Sequence, residues 1–527
     1  MSVKPVTSVI VVGGGAAGWL TAGLLGAMCQ RDERQLSITV VESPDVKTIG
    51  VGEGTWPTMR RTLATIGLEE DAFLSACHAT FKQGSKFVGW QNNDGAEAYY
   101  HPFTVPEKVG QADWFNAWKH NGNTTSFAEY ACAQVALCEQ GKAPKQLQTP
   151  AYAGVQNYAY HLDANAFVEM LRSHCTQSLG VSHLSAHIHH IHTHENGIAG
   201  LDTSAGALQA DLYVDCSGMQ SLLLGKALGV GWQSLSHILF NNRALAAQIP
   251  TAHDRPIPTC THSTATDNGW IWDIPLTMRH GVGHVYSDAF TTNSSAEVAL
   301  RDYIATTFYE GDRDHIDMRT CDIRQLTFEP GHRKVFWEKN CVAIGMSAGF
   351  IEPLEASALA MVELSANMLC DNFPADTALM PIIATKFNRR FLYRWERIVD
   401  FLKLHYVLSK RTSDYWLAHR DARSIPQTLR EQLMIWQQQS PSHYDFVDVE
   451  EVFPSASYQY ILYGMGFVAS KSLKGHAINN IDTATREAIA LHQHMQSLIA
   501  RQLSGLPEHR QLLNQMVERF QRSASAA

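Results

Sequence analysis

The amino-acid sequence predicts an α/β protein of mixed, α+β character: a doubly wound, Rossmann-like domain with an inserted β-rich region, closed by a C-terminal helical layer. Three observations predict it. Gly13, Gly15 and Gly18 form a Gly-x-Gly-x-x-Gly run directly between the apolar strand VIVV and a helix-like segment. Short β-rich runs separated by loops fill the middle of the chain. From about Ser357 apolar residues recur at three- and four-residue steps, the period of an amphipathic helix. The expected division is 1–356 for the nucleotide-binding module with its β-rich insertion, and 357–527 for a mainly helical region covering the substrate.

The elements follow in chain order. SVIVVGGGAAGWLTAGLLGAM reads as strand, tight turn and helix, and LSITVVESP (36–44) as the next buried strand of a βαβ unit. HIHHIHTHENG crowds His187, His189, His190, His192 and His194 together, which invites a metal reading. The interleaved Ile188 and Ile191 and the turn-forming Glu195-Asn196-Gly197 predict instead a hairpin with solvated histidines, and no metal site. GWIWDIPL (269–276) reads as an extended core strand with Trp270, Trp272 and Ile274 on one side, ended by Pro275, which lacks a donor. FNRRFLYRWERIVDFLKLHYVLSK carries Phe391, Trp395, Ile398, Phe401, Leu402 and His405 along one helix side, and 482–523 is amphipathic.

Composition narrows the function. The 527 residues are 45% hydrophobic and 18% charged, as in a globular enzyme. A net charge of −9 without a Lys/Arg block speaks against a nucleic-acid partner. Ten cysteines with no CxxC pair predict reduced thiols and a cytoplasmic protein. The glycine fingerprint accounts for the apolar N-terminal stretch better than a secretion signal does. No apolar run is long enough to span a bilayer, so no membrane partner is expected.

The glycine run carries chemistry. Gly13 permits a sharp turn, Gly15 lets the backbone of Ala16 and Ala17 approach a pyrophosphate, and Gly18 lets helix and strand pack closely. The helix start faces the phosphate with unpaired N–H groups. Glu42 ends the second strand 24 residues after Gly18, where it can accept hydrogen bonds from ribose hydroxyls. Dinucleotide binding follows. No second such motif follows a strand, so no separate nicotinamide domain is expected.

In this company, Trp270, Trp272, Ile274 and Pro275 resemble the WxWxIP signature of the flavin-dependent tryptophan halogenase family, where the segment walls substrate off from the flavin. IGVGEGTWP (49–57), with Gly52, Glu53, Gly54 and Thr55, resembles the family's strap between flavin and substrate sites. LYVDCSGMQSLL, with Asp215 and Gly218, and CVAIGMSAGFIEPLE, with Gly345, Met346, Gly349 and Phe350, match segments that close the FAD site. Met346 stands where many flavoproteins carry an aspartate. The resemblance runs from residue 11 to about 466. It implies FAD, supplied as FADH2 by a separate NAD(P)H-dependent flavin reductase, and a halide ion, chloride or bromide; it also allows a homodimer.

The same resemblance assigns roles. Lys82, in HATFKQGSKFVGW, matches the lysine that receives hypohalous acid; Lys86 is its local competitor. Glu355 follows Pro353-Leu354 as the family's catalytic glutamate does, which selects it over Glu352. Many members continue Ser-Thr-Gly; here Ala356-Ser357-Ala358 opens the expected halide-binding helix start. Ala358 is expected to restrict a backbone position that glycine leaves free, favouring bromide. His101 and Phe103 in YYHPF match a pair that sandwiches an indole. FPSASYQYILYGMGF (453–467) offers Tyr458, Tyr460 and Tyr463 but no adjacent carboxylate before Lys471, which speaks against free tryptophan and leaves indole, another indolic compound or a peptide-borne tryptophan. Two other readings use the same scaffold: an aromatic monooxygenase, opposed by the WxWxIP wall, and a non-catalytic FAD-binding protein, opposed by Lys82 and Glu355.

Overall fold

Five parallel strands hold the nucleotide-binding half together. In the computed structural model, which describes residues 4–46, 52–93, 97–122, 124–309, 322–448, 450–467 and 482–526, a six-stranded sheet runs in the order Trp337–Glu338, Cys341–Ala343, Leu212–Asp215, Ser8–Val12, Ser37–Glu42, Ser182–Ser185. The Trp337–Glu338 edge alone pairs antiparallel. Val9 to Val12 are all buried, because both sheet faces are covered; that is why the strand reads as an unbroken apolar run. The helix Ala16–Arg31 packs against Ala164–Ser178 and against Ser357–Asp371. The helical region beginning at Ser357 is thus built onto the nucleotide-binding helix, and no strand is described after that residue.

A second sheet positions the chemistry. Its seven strands run Arg324–Thr327, Arg243–Pro250, Arg279–Tyr286, Gly269–Pro275, Thr261–Thr266, Gly84–Val88, Ala98–Pro102. Every residue of Gly269–Pro275 is buried, and Trp270 meets Trp272 edge-on at 6.4 Å. A Cβ on Gly283 of the neighbouring strand would sit 2.1 Å from Trp272 Cζ2, so that glycine gives the indole its room. Pro275 still lies opposite His280, and the Leu276 N–H to Arg279 carbonyl bond closes the turn beyond it. A three-stranded sheet of Gly52–Gly54, Ala159–Asp163 and Thr80–Lys82 lies alongside.

The histidine-rich segment forms the expected hairpin, Ile188–His194 with Gly197–Thr203, and His189, His190, His192 and His194 are exposed. Among the described residues there is no metal-binding cluster, and no helix is long and apolar enough to cross a membrane. The nine described cysteines are free thiols.

The tail becomes two helices, Thr483–Gly505 and His509–Ala526. Buried His509 accepts the Phe81 N–H at Nε2 (3.0 Å) and places Nδ1 3.1 Å from the Ile257 carbonyl, tying the tail to the strand that carries Lys82. Burial pushes His509 and His284 from the ordinary 6.5 down to about 4. Both are neutral when folded, whereas the unfolded chain takes up protons from pH 6.5 downward. The stability they confer is therefore intact above about pH 6.5 and lost as pH falls toward 4. Thermal unfolding followed between pH 7 and 4 should show Tm falling across this window. His509→Gln, which keeps an acceptor but cannot titrate, should reduce that slope.

Candidate active site

The glycine turn is shaped as a phosphate cradle. Gly13 adopts φ +116°, and a Cβ there would lie 2.1 Å from the Cys216 carbonyl oxygen. A Cβ on Gly18 would lie 1.9 Å from the Gly13 oxygen, so helix and turn touch backbone to backbone. Gly15, the N-cap of Ala16–Arg31, has open space where its side chain would be. Gly345, at φ +80°, brings its turn onto Ala17: a Cβ would lie 2.7 Å from that of Ala17. Gly218, at φ +67°, faces Met346, which is partly exposed. Glu42 lies against Gly14, and its buried Oε2 makes no hydrogen bond although His183 Nε2 is 3.0 Å away. An open cradle beside an acid with an unused oxygen fits a dinucleotide such as FAD.

Three of the sequence-predicted cofactor residues serve this cradle indirectly. Asp215 has no exposed surface, and its oxygens take the Ser217, Leu223 and Leu224 N–H groups and the Ser217 and Ser221 hydroxyls. It fixes the turn that carries Gly218 from inside. Gly349 makes room for Trp395, whose Cζ2 would lie 2.4 Å from a Cβ. Phe350 packs edge-on against Phe328 at 5.0 Å.

The strap joins cofactor side and substrate side. Residues 49–51 lie outside the described residues, and the rest runs past the GWIWDIP strand, Lys82 and the Glu355 turn. Cβ atoms on Gly52 and Gly54 would lie 3.0 Å from Ile274 Cγ2, and 3.1 Å from Lys82 Nζ and 3.2 Å from Ala356 Cβ, respectively. Thr55 bonds the Tyr160 carbonyl through its hydroxyl and N–H, and Trp56 Nε1 donates to the Glu355 carbonyl at 2.8 Å. Glu53, half-buried, is pushed up to about 7 by burial.

Lys82 ends its strand with 1% of its surface exposed. Burial pushes its ammonium down to about 8, with Glu355 and Cys260 opposing. Its Nζ lies 5.5 Å from the centre of the half-buried Phe103 ring. Lys86 points elsewhere and pairs with Glu139 at 2.9 Å. Glu355 Oε1 lies 2.8 Å from His101 Nδ1 and 3.4 Å from His405 Nε2. Burial works to raise this carboxyl, but the two histidines hold it well below the usual carboxylate range. Three residues earlier, Glu352 faces a different set: its Oε2 accepts from Trp270 Nε1 (2.7 Å), Tyr406 hydroxyl (2.7 Å) and Asn241 Nδ2 (2.6 Å). Glu352 anchors the WxWxIP wall; Glu355 faces the lysine's side.

The expectation for Ala358 is corrected. Ala358 lies inside the helix Ser357–Asp371 with its side chain exposed, so alanine there restricts nothing. The left-handed residues are Glu355 (φ +65°) and Ala356 (φ +54°), two non-glycines in succession. A bromide preference drawn from Ala358 has no backbone basis. Ser357 is buried at the helix start, where the first N–H groups lack intrahelical partners.

The substrate-side residues separate. His101 belongs to the Glu355 site: its second nitrogen lies 2.8 Å from Ser457 Oγ, so both nitrogens are engaged. Tyr458 is packed behind Phe401, edge-on at 4.9 Å, and against Trp436 and Phe446. The rings around His101 are Phe401, at 5.5 Å, and Phe453 and Tyr460, both at 6.3 Å, with Phe453 stacked on Phe401 at 3.7 Å. Tyr460 and Tyr463 hydroxyls bond the Thr104 carbonyl and Ser440; Lys471 lies outside the described residues. Sequence reasoning missed Tyr99, Ser457, Phe453 and the role of His405. The buried side of the helix Met380–Val407 was the available signal for His405. If Glu42 holds a ribose hydroxyl, Glu42→Ala loses one charge-assisted hydrogen bond, about 1.5–3 kcal/mol. A fluorescence titration with FAD should then show Kd raised by roughly 10- to 100-fold.

Comparison with known proteins agrees with this geometry. A family model described as tryptophan halogenase matches residues 8–479. The curated tryptophan 6-halogenase SttH of Streptomyces toxytricini is 30% identical over 523 residues, 95% of this chain and 97% of the relative. The crystal structure of a tryptophan halogenase from Shewanella frigidimarina is 43% identical, covers 98% of both chains and has a TM-score of 0.91. BrvH, a flavin-dependent halogenase from Brevundimonas sp., is 32% identical over 97% of this chain and 99% of that chain, with a TM-score of 0.83. With cradle, strap, wall, buried lysine and buried glutamate in place, the chain belongs to the tryptophan halogenase family and is a flavin-dependent halogenase using FAD and halide.

Proposed function

We propose that this enzyme halogenates an electron-rich indolic ring, with Lys82 holding hypohalous acid and Glu355 beside the reacting carbon. The observation that carries the reading is a buried ammonium that feels the charge of a buried carboxylate, with one strap passing both, beside Lys82 at Gly54 and bonded to the Glu355 carbonyl at Trp56. When bound, reduced FAD with oxygen and halide supplies the hypohalous acid. Lys82, buried at the end of its strand, then donates a hydrogen bond to it. Fixing an oxidant over one carbon is worth on the order of 7 kcal/mol in favourable cases. Glu355 stabilises the cationic ring and accepts its proton. Phe103 and the Phe401–Phe453 pair offer ring faces to an indole. Trp270 and Trp272, fixed by Glu352 and Gly283, separate that space from the cofactor side.

Free tryptophan is not the favoured substrate. The helix Ser455–Gly464, which carries Tyr458, Tyr460 and Tyr463, has no carboxylate of its own to hold an amino-acid head. Indole, another indolic compound or a peptide-borne tryptophan fits better. The reading includes a separate NAD(P)H-dependent reductase and a cytoplasmic setting; a homodimer is compatible with it.

The test supplies FADH2, oxygen, chloride or bromide and a panel of indoles, and reads mass shifts. Halogenated product is expected; hydroxylated product would overturn the reading. Lys82→Ala should abolish halogenation while a diffusible trap still detects hypohalous acid. Glu355→Gln should slow ring substitution by on the order of 10²-fold. Because the donor form of Lys82 is the ammonium, with its midpoint at about 8, product formed per hypohalous acid should hold below pH 8 and fall above it. A rise above pH 8 would assign the free amine instead.

A further inference from the structure

Glu355 is gripped on one oxygen only, by two imidazoles that differ in what stands behind them. Its side chain is 2% exposed, and Oε1 faces both His101 Nδ1 (2.8 Å) and His405 Nε2 (3.4 Å). No described group bonds Oε2, so that oxygen is free for the ring. His101 continues to Ser457 near the start of the helix Ser455–Gly464, whose preceding Pro454 is exposed. His405 is closed in. It has no exposed surface and sits among Phe87, Trp90 and Phe401 at ring distances of 4.6, 5.8 and 5.5 Å. Its other nitrogen lies 2.7 Å from the hydroxyl of Tyr99, which is stacked on Phe87 at 4.8 Å.

A buried neutral imidazole has a single N–H, and its position is set by whatever bonds the other nitrogen. With the Tyr99 hydroxyl donating to Nδ1, the proton must stand on Nε2, facing Glu355. The opposite tautomer would spend the Nδ1–H on the Tyr99 oxygen, leave the phenol hydrogen without an acceptor among the described residues, and turn a lone pair toward a carboxylate, both costly in an aromatic interior. His405 Nε2 makes no hydrogen bond in this structure, and the nearest carboxylate oxygen is Glu355 Oε1, 3.4 Å away. Such contacts in free enzymes commonly shorten when substrate is bound.

We propose that Tyr99 and His405 form a positioning pair for Glu355: the tyrosine fixes the histidine tautomer, and the histidine donor keeps Oε1 occupied so that Oε2 stays aimed at the reacting carbon. This rests on the reading of Glu355 as the carboxylate beside that carbon. It adds two buried residues, 306 positions apart in sequence, that act through Glu355.

The experiment compares Tyr99→Phe, His405→Gln and His405→Leu in the full-length enzyme with FADH2, oxygen, bromide and indole, reading brominated product per hypohalous acid formed. Tyr99→Phe keeps the stacked ring and removes only the donor, and should lower this ratio about tenfold, the value of one orienting hydrogen bond, with hypohalous acid formation unchanged. His405→Leu should lower it further. His405→Gln, whose amide can accept from Tyr99 and donate to Glu355, should restore it to within a few-fold of the wild type. Nitrogen-15 spectra, with the His405 signal identified by its loss in His405→Gln, should show the proton on Nε2 in the wild type and on both nitrogens in Tyr99→Phe. If His405→Leu does not fold, the other two variants and the spectra decide. A wild-type ratio in Tyr99→Phe, or a wild-type proton on Nδ1, would overturn the inference. If Glu355→Gln itself leaves bromination intact, the reading of Glu355 fails first; if that variant is slow and Tyr99→Phe is not, only the positioning pair fails.

Discussion

A lysine ammonium enclosed in protein is the constraint around which this molecule is arranged. Removing such a charge from water costs several kcal/mol even after relaxation. Its fall to about 8 is the visible part of that cost. What offsets it is local: the charge on Glu355, the face of Phe103, and a strand that cannot shift. Thr80–Lys82 is only three residues long, yet it pairs with Ala159–Asp163, is bonded from behind by His509, and hangs from the Pro275 carbonyl through the Thr80 hydroxyl. The helix His509–Ala526 thereby limits where the amine can be.

Two glutamates three residues apart divide the remaining work because the backbone between them turns sharply. Glu352 looks toward Trp270, Tyr406 and Asn241, and Glu355 toward His101 and His405. Left-handed φ values at Glu355 and Ala356 cost of order 1–3 kcal/mol each and persist only where the surroundings over-determine them. Here the Trp56 indole holds the Glu355 carbonyl, the Ala356 N–H bonds the Pro353 carbonyl, and the helix from Ser357 packs on Ala16–Arg31. The turn sends the two carboxylates in different directions, one to Trp270 and one to the two histidines.

Local physics was legible in the sequence, and partnership was not. The glycine turn, the histidine hairpin, the buried GWIWDIP strand and the helices after Ser357 follow from spacing and side-chain type within a few residues. Lys82 and Glu355 stood out through a family resemblance, and the geometry places them beside one strap. Asp215, Gly349 and Tyr458 show where a motif runs out: a short segment does not say whether its residue faces a groove or the protein behind it. Ala358 shows the same for backbone, since the strain fell two and three residues earlier. His101 meets Glu355 across 254 positions and Tyr99 meets His405 across 306, and no local pattern encodes such pairings.

The strap explains how the two sides of the site are kept in register. In an extended segment alternate residues face the same way, so Gly52, Gly54 and Trp56 form one row. That row meets Ile274 of the wall, then Lys82 and Ala356, then the Glu355 carbonyl. Five residues at about 3.3 Å each span roughly 13 Å between the first and last Cα. Two of the three contacts are tight without a side chain, because a Cβ at 3.0–3.2 Å would make Ile274, the Lys82 amine or Ala356 give by a few tenths of an ångström. Opposite that row, the Thr55 N–H and hydroxyl clamp the segment onto Tyr160, so it cannot rise to relieve such a push. The spacing between the GWIWDIP strand and Lys82 is therefore set by one clamped backbone, and the close packing at Gly52 and Gly54 holds that spacing.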